Sequence, residues 1–92
     1  KYSTGIGVII TENNPFTVYP NPANSIVEIK SSSLYRILQI KVINLCGSVL
    51  KSFSVNEEPE TQISLDELQA GNYILEIETT NHERFYSKIV KN

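Results

Sequence analysis

Apolar and polar residues alternate with a period of two over most of this chain, the signature of half-buried β-strands rather than helices. The first predicted strand is Phe16–Tyr19. Residues 26–30 follow, with Val27 and Ile29 inward and Glu28 and Lys30 outward. Residues 37–44 make a third strand, with Leu38, Ile40 and Val42 on one face and Gln39 and Lys41 on the other. Ile43 breaks that alternation, which predicts cover on both faces near the strand's end. Residues 49–55 and 61–65 supply two more. Residues 72–79 carry the clearest pattern: Tyr73, Leu75 and Ile77 face in, Glu76 and Glu78 face out. Residues 83–91 are the last strand.

The intervening stretches are turn-like. Asn44-Leu45-Cys46-Gly47 reads as a type I turn, with Asn at its first position and Gly supplying positive φ. Residues 56–60 read as a solvated loop. Residues 65–71 are too short for a stable helix and predict a single helical turn, N-capped by Asp66 and stopped at Gly71, with Leu65 and Leu68 as inward anchors. Thr80-Asn81-His82 connects the last two strands, and its length sets their register. A two-residue loop would turn Lys88 into the core; a three-residue loop puts Phe85 and Ile89 inward and keeps Lys88 wet, and is the expectation. Seven short strands with turns between them and no amphipathic helix predict an all-β fold, a seven-stranded antiparallel immunoglobulin-like β-sandwich.

The stretch Val18-Tyr19-Pro20-Asn21-Pro22-Ala23 marks where the strands begin. Tyr19 and Asn21 each precede a proline and are held toward extended geometry, while Pro20 and Pro22 lack a backbone donor. Such a segment ends an edge strand and turns; it cannot lie inside a sheet. It reads as a rigid corner at the start of a domain spanning 16–92. Residues 1–15, where Ile6, Val8 and Ile10 alternate ahead of Thr11-Glu12-Asn13-Asn14-Pro15, read as a linker or tail of an upstream region.

Ninety-two residues fit one domain. A net charge of −2 gives no reason to expect nucleic acid or an anionic membrane as partner. No apolar run is long enough to span a bilayer, so no direct membrane insertion is expected. The chain opens on Lys1 and contains no Met, as expected of a piece of a longer polypeptide whose export signal would lie upstream.

Candidate chemistry is sparse. Asn21 reads first as a corner residue whose amide satisfies local backbone groups. His82, the one histidine, has no nucleophile beside it. Cys46, the one cysteine, has no metal-ligand spacing around it. Glu57, Glu58 and Glu60 lack the spacing of a calcium loop, and Glu76 with Glu78 reads as a solvated strand face rather than a glycosidase pair. No catalytic set, cofactor or metal site emerges, and the expectation is a binding protein, not an enzyme.

Four blocks occur in order. They are Val18-Tyr19-Pro20-Asn21-Pro22-Ala23; Val42-Ile43-Asn44-Leu45-Cys46-Gly47; Ile63-Ser64-Leu65 with Leu68-Gln69-Ala70-Gly71-Asn72-Tyr73; and Lys88-Ile89-Val90-Lys91. Together they resemble the type A C-terminal sorting domain of the type IX (Por) secretion system of Bacteroidetes. The resemblance covers about residues 16 to 92. It implies Tyr19, Pro20, Asn21, Pro22, Gly47, Gly71, Tyr73, Lys88, Val90 and Lys91 as family motif positions. Asn44, where an Asp is common, and Cys46 depart from the pattern. It further implies a domain covalently continuous with an exported cargo and read by the outer-membrane translocon. A surface sortase then commonly cuts within residues 1–15, and the cargo is attached to the cell surface or released. The rival from another class is an immunoglobulin-like adhesion or carbohydrate-binding module, for which Tyr2, Tyr35 and Tyr86 are the candidate aromatic platform.

Overall fold

A computed structural model describes residues 14–32 and 34–92. The alternation of Ile6, Val8 and Ile10 and the rest of the expected linker before Asn14 lie outside the described residues. Seven strands are present: β1 (Phe16–Tyr19), β2 (Ile26–Ser31), β3 (Ile37–Ile43), β4 (Val49–Glu58), β5 (Glu60–Ser64), β6 (Gly71–Thr79) and β7 (Arg84–Lys91). They form a three-stranded sheet ordered β1-β2-β5 and a four-stranded sheet ordered β4-β3-β6-β7, all neighbours antiparallel. The expected immunoglobulin-like sandwich is the observed one.

The core lies between the sheets. Val27, Ile29 and Ile63 from one sheet meet Ile37, Ile40, Val42, Leu75, Ile77 and Ile89 from the other. Phe16, Tyr35 and Phe85 close one end, with the Tyr35 and Phe85 rings edge-to-face at 5.2 Å. The other end is closed by Ala23, Leu65 and Tyr73. The Tyr73 hydroxyl donates to the Gln69 carbonyl at 2.5 Å, tying the start of β6 to the turn before it.

Turn chemistry sets the registers. Asn44 accepts at its side-chain oxygen from the Cys46 and Ser48 amides, both at 2.9 Å, and Gly47 takes φ 93°. The Thr79 amide donates to the Glu83 carbonyl, so the β6–β7 loop proper is the three residues 80–82: the His82 amide donates back to the Thr79 carbonyl, and His82 adopts φ 66°. Leu75 therefore stands opposite Ser87, Ile77 opposite Phe85 and Ile74 opposite Lys88, leaving Lys88 on the wet face as expected.

Three local expectations need correction. Leu38 does not share the inward face with Ile40 and Val42. The register slips between Ile37 and Gln39, so Ile37 is fully buried and Leu38 only half-buried at the irregularity. β4 does not end at Val55, and 56–60 is not a free loop: β4 runs to Glu58, helped by Glu57 at φ 56°, and only Pro59 separates it from β5. Residues 65–68 form a turn closed by the Leu68 amide on the Leu65 carbonyl, not a helical turn. Ser64, not Asp66, supplies the capping oxygen, accepting from the Asp66 amide at 3.2 Å.

Central β6 is the strand whose side chains the fold can least spare. Ile77→Ala removes a fully buried side chain flanked by Ile40 and Phe85, and urea unfolding should show a loss of about 2–5 kcal/mol. Tyr73→Phe keeps the ring and deletes only the hydroxyl bond, so its loss should be about 1 kcal/mol. A larger loss for Tyr73→Phe than for Ile77→Ala would contradict this division of labour.

Candidate functional site

β7 would be a free edge of the four-stranded sheet if nothing covered it. The corner after β1 covers it. The Asn21 side chain lies along β7 and bonds in both directions: its amide nitrogen donates to the Lys88 carbonyl at 3.1 Å, and its oxygen accepts from the Val90 amide at 2.9 Å. Ala23 continues the contact as a parallel bridge to Lys91. Its amide donates to the Val90 carbonyl and its carbonyl accepts from the Asn92 amide, both at 2.8 Å. Asn21 does not serve local backbone groups, as its setting between prolines suggests; its partners lie 67 and 69 residues away.

The prolines explain why Asn21 can do this. They hold the segment extended and carry no backbone donor of their own, so the Asn amide group supplies the pairing that a strand backbone would. Tyr19, at the end of β1, pairs with Glu28 and reaches its carboxylate through the hydroxyl at 3.3 Å. The negative charge of Glu28 beside it raises the Tyr19 pKa above the ordinary phenol value. On the outer face of the four-stranded sheet, burial and then the nearby Glu76 carboxylate push Tyr86 in the same direction.

Asn14 is a residue that the alternation misses. Its side chain donates to the Tyr86 carbonyl at 3.0 Å and the Ser87 hydroxyl at 2.8 Å, and accepts from the Phe16 amide. Pro15 joins the sandwich too, its carbonyl accepting from the amide and hydroxyl of Ser32. The available signal was a repeated dipeptide: Asn14-Pro15 and Asn21-Pro22 each place an asparagine before a proline, and both asparagines bond to β7.

The motif residues gather at one end of the molecule. Tyr19, Pro20, Asn21 and Pro22 form the corner there. Lys88, Val90 and Lys91 are the strand it clasps. Gly71 starts β6 opposite Lys91, Tyr73 pairs with Ile89, and Gly47 turns the β3–β4 hairpin beside them. Lys88 and Val90 are exposed, Lys91 is half-buried and Tyr73 is buried. At the opposite end lie Phe16, where the described chain enters, and an open depression lined by Leu34, Tyr35, Arg36, Thr80, Asn81 and Glu83.

Other candidates stay apart. His82 contacts Glu78 at 3.3 Å, Arg84 pairs with Glu76 at 3.0 Å, and Cys46 is an exposed free thiol in the hairpin turn. Among the described residues no three His, Cys, Asp or Glu side chains gather as a metal site. Tyr35 packs into the Phe16–Phe85 cluster and Tyr86 lies half-buried on the outer sheet face, so the two do not form a platform; Tyr2 lies outside the described residues.

The sheets and their clasp define an immunoglobulin-like β-sandwich whose motif residues gather at the end where β7 finishes. The chain belongs to the Por secretion-tail family, the secretion system C-terminal sorting domains, whose family model matches residues 17–92. It is thus a type IX secretion signal, borne by a cargo protein and directing export toward the cell surface or extracellular space. A DUF3244 family protein from Bacteroides vulgatus, solved with an immunoglobulin-like β-sandwich fold, is similar over 88% of this chain and 88% of its own, with a TM-score of 0.67 and 23% identity. That likeness concerns the fold. A comparison with curated proteins finds no match.

Asn21→Ala removes both side-chain bonds to β7 and should lower stability by about 1–2 kcal/mol. Asn24→Ala, whose side chain bonds only to Asn92 among the described residues, should cost clearly less. Equal losses in urea melts would mean that the clasp does not hold the strand.

Proposed function

We propose that the domain is a type A sorting domain read by the outer-membrane translocon as a folded object, without catalysis of its own. The cargo would enter the periplasm by an upstream signal peptide. The translocon then engages the motif-bearing end, and a surface sortase cuts within residues 1–15, leaving the cargo attached to the surface or released. One observation carries this reading. The family's four sequence blocks lie far apart in the chain but meet at one end, opposite the end where residues 14–16 enter. A partner could grip that end without covering the end where residues 14–16 enter.

Two ways of being read are physically available: strand addition at an edge, or docking of a folded face. The geometry favours the face. Along β7 the Lys88 and Val90 carbonyls and the Val90 and Asn92 amides are already taken by the corner. An added strand would have to displace it. Side chains of Lys88 and Val90 remain outward and free to meet a partner, with lysine supplying orientation and encounter rate. An adhesion or carbohydrate-binding role has less support, since Tyr35 and Tyr86 do not form an aromatic surface.

Residues 1–92 fused behind a reporter with a signal peptide should bring the reporter to the surface or medium of a type IX-secreting host. The same fusion lacking residues 87–92 should leave it in the periplasm. A urea melt of the truncated chain separates loss of recognition from loss of folding. Export of the truncated fusion at the full level would sink the reading.

A further inference from the structure

The outer face of the four-stranded sheet is polarised along its strands. Near the entry end it carries the polar row Gln39, Glu78 and Arg84, then Lys41 opposite Glu76, with Glu76 paired to Arg84 and the His82 ring against Glu78. Near the motif end the same face turns apolar. Ile43 pairs with Ile74, and both are nearly covered, at 6% and 4% exposure, although they belong to no part of the inter-sheet core. A slip in register sets Val49 opposite Ile43, with Leu50 as the extra residue beside it. Val49 and Leu50 are 52% and 42% exposed, and Leu45 in the adjoining turn is 51% exposed. Lys88 completes the row opposite Ile74, and Val90, opposite Asn72, is the next outward residue of β7. The chain thus has a small apolar floor with an apolar rim on one side and a cation on the other.

We infer that this face, from Val49 and Leu50 across Ile43 and Ile74 to Lys88 and Val90, is the surface that the export machinery grips, and that its occupant is an acidic segment with an apolar centre. The inference deepens the sorting-domain reading and rests on it. Charge decides the chemistry of the occupant. Glu76 is held by Arg84 and stands opposite Lys41, whereas Lys88, exposed between Tyr86 and Val90 on its own strand, makes no ion pair among the described residues. A carboxylate placed there completes a charge pair at the rim of an interface, which sets orientation, while the valines and Leu50 supply the desolvated centre. Continuity points the same way. Lys88 and Val90 are the outward side chains of the strand that the Asn21 clasp holds in place, so the clasp fixes half of the surface.

The test uses reporter fusions of the 92-residue chain in a type IX-secreting host, with urea midpoints measured in parallel. Val49→Asp and Lys88→Glu should each lower surface delivery at least tenfold with the midpoint unchanged, and Lys88→Arg should stay within twofold of wild type. Ile26→Asp is the control, since Ile26 is an exposed apolar residue at the same end on the other sheet; it should export normally. Normal export of Val49→Asp would overturn the surface. Normal export of Lys88→Glu with loss in Val49→Asp would overturn the acidic occupant. A wild-type dimer in solution that Val49→Asp dissolves would overturn it in favour of a second copy. Failure of the wild-type fusion itself would sink the sorting reading, a result distinct from each of these.

Discussion

An asparagine side chain stands in for a strand along the last edge of this sandwich. Asn21 meets one donor and one acceptor on β7, and Ala23 adds a parallel bridge beyond it. Each of these bonds is worth only about 0.5–1.5 kcal/mol net. Their importance is positional. β1 pairs with β2 in one sheet and its continuation pairs with β7 in the other, so the corner closes the seam between sheets. It also holds residues 88–92, whose strand would otherwise be an open edge of the sheet. The motif surface exists as a surface because this contact holds it.

The remaining edges are also blunted. β4 is interrupted near both ends by register irregularities and carries Glu57 at positive φ. β5 has five residues and follows Pro59 directly. β1 has four and runs into Pro20. Lys51 bridges the side where β4 and β5 approach, donating to the Ser64 carbonyl at 3.0 Å with its ammonium 5.4 Å from the centre of the Phe53 ring. Such blunted edges guard a sandwich against edge-to-edge aggregation. What β7 leaves outward is side chains on a face, Lys88 and Val90 among them.

Much of this was legible in the order of residues. Period-two alternation located all seven strands and the inward sets Val27–Ile29 and Tyr73–Leu75–Ile77, because one buried face per strand leaves that mark. His82 accounts for the β6–β7 register, since a residue tolerant of positive φ allows the three-residue loop that keeps Lys88 wet. Ile43 announced its own cover on the outer face. What stayed hidden was non-local. No pattern in 37–44 reveals that a slip against β6 carries Ile37 into the core in place of Leu38. β4 reads as ending at Val55 because its last residues are polar on both faces, although their backbone still pairs, with Glu58 opposite Ile37. Asn14 and Asn21 find partners more than 60 residues away, and local sequence holds no trace of such partners beyond the Asn-Pro dipeptide itself. The outer apolar face was half legible: Ile43 marked it, but the bulge that adds Val49 and Leu50 did not show.

The central claim is that the C-terminal strand is clamped from its outer side. Amide hydrogen exchange of the 92-residue chain tests it without any substitution. The Val90 and Asn92 amides, bonded to the Asn21 oxygen and the Ala23 carbonyl, should exchange far more slowly than an open peptide, at rates comparable with those of β6. Exchange of both at the rate of an unprotected chain end would contradict the account.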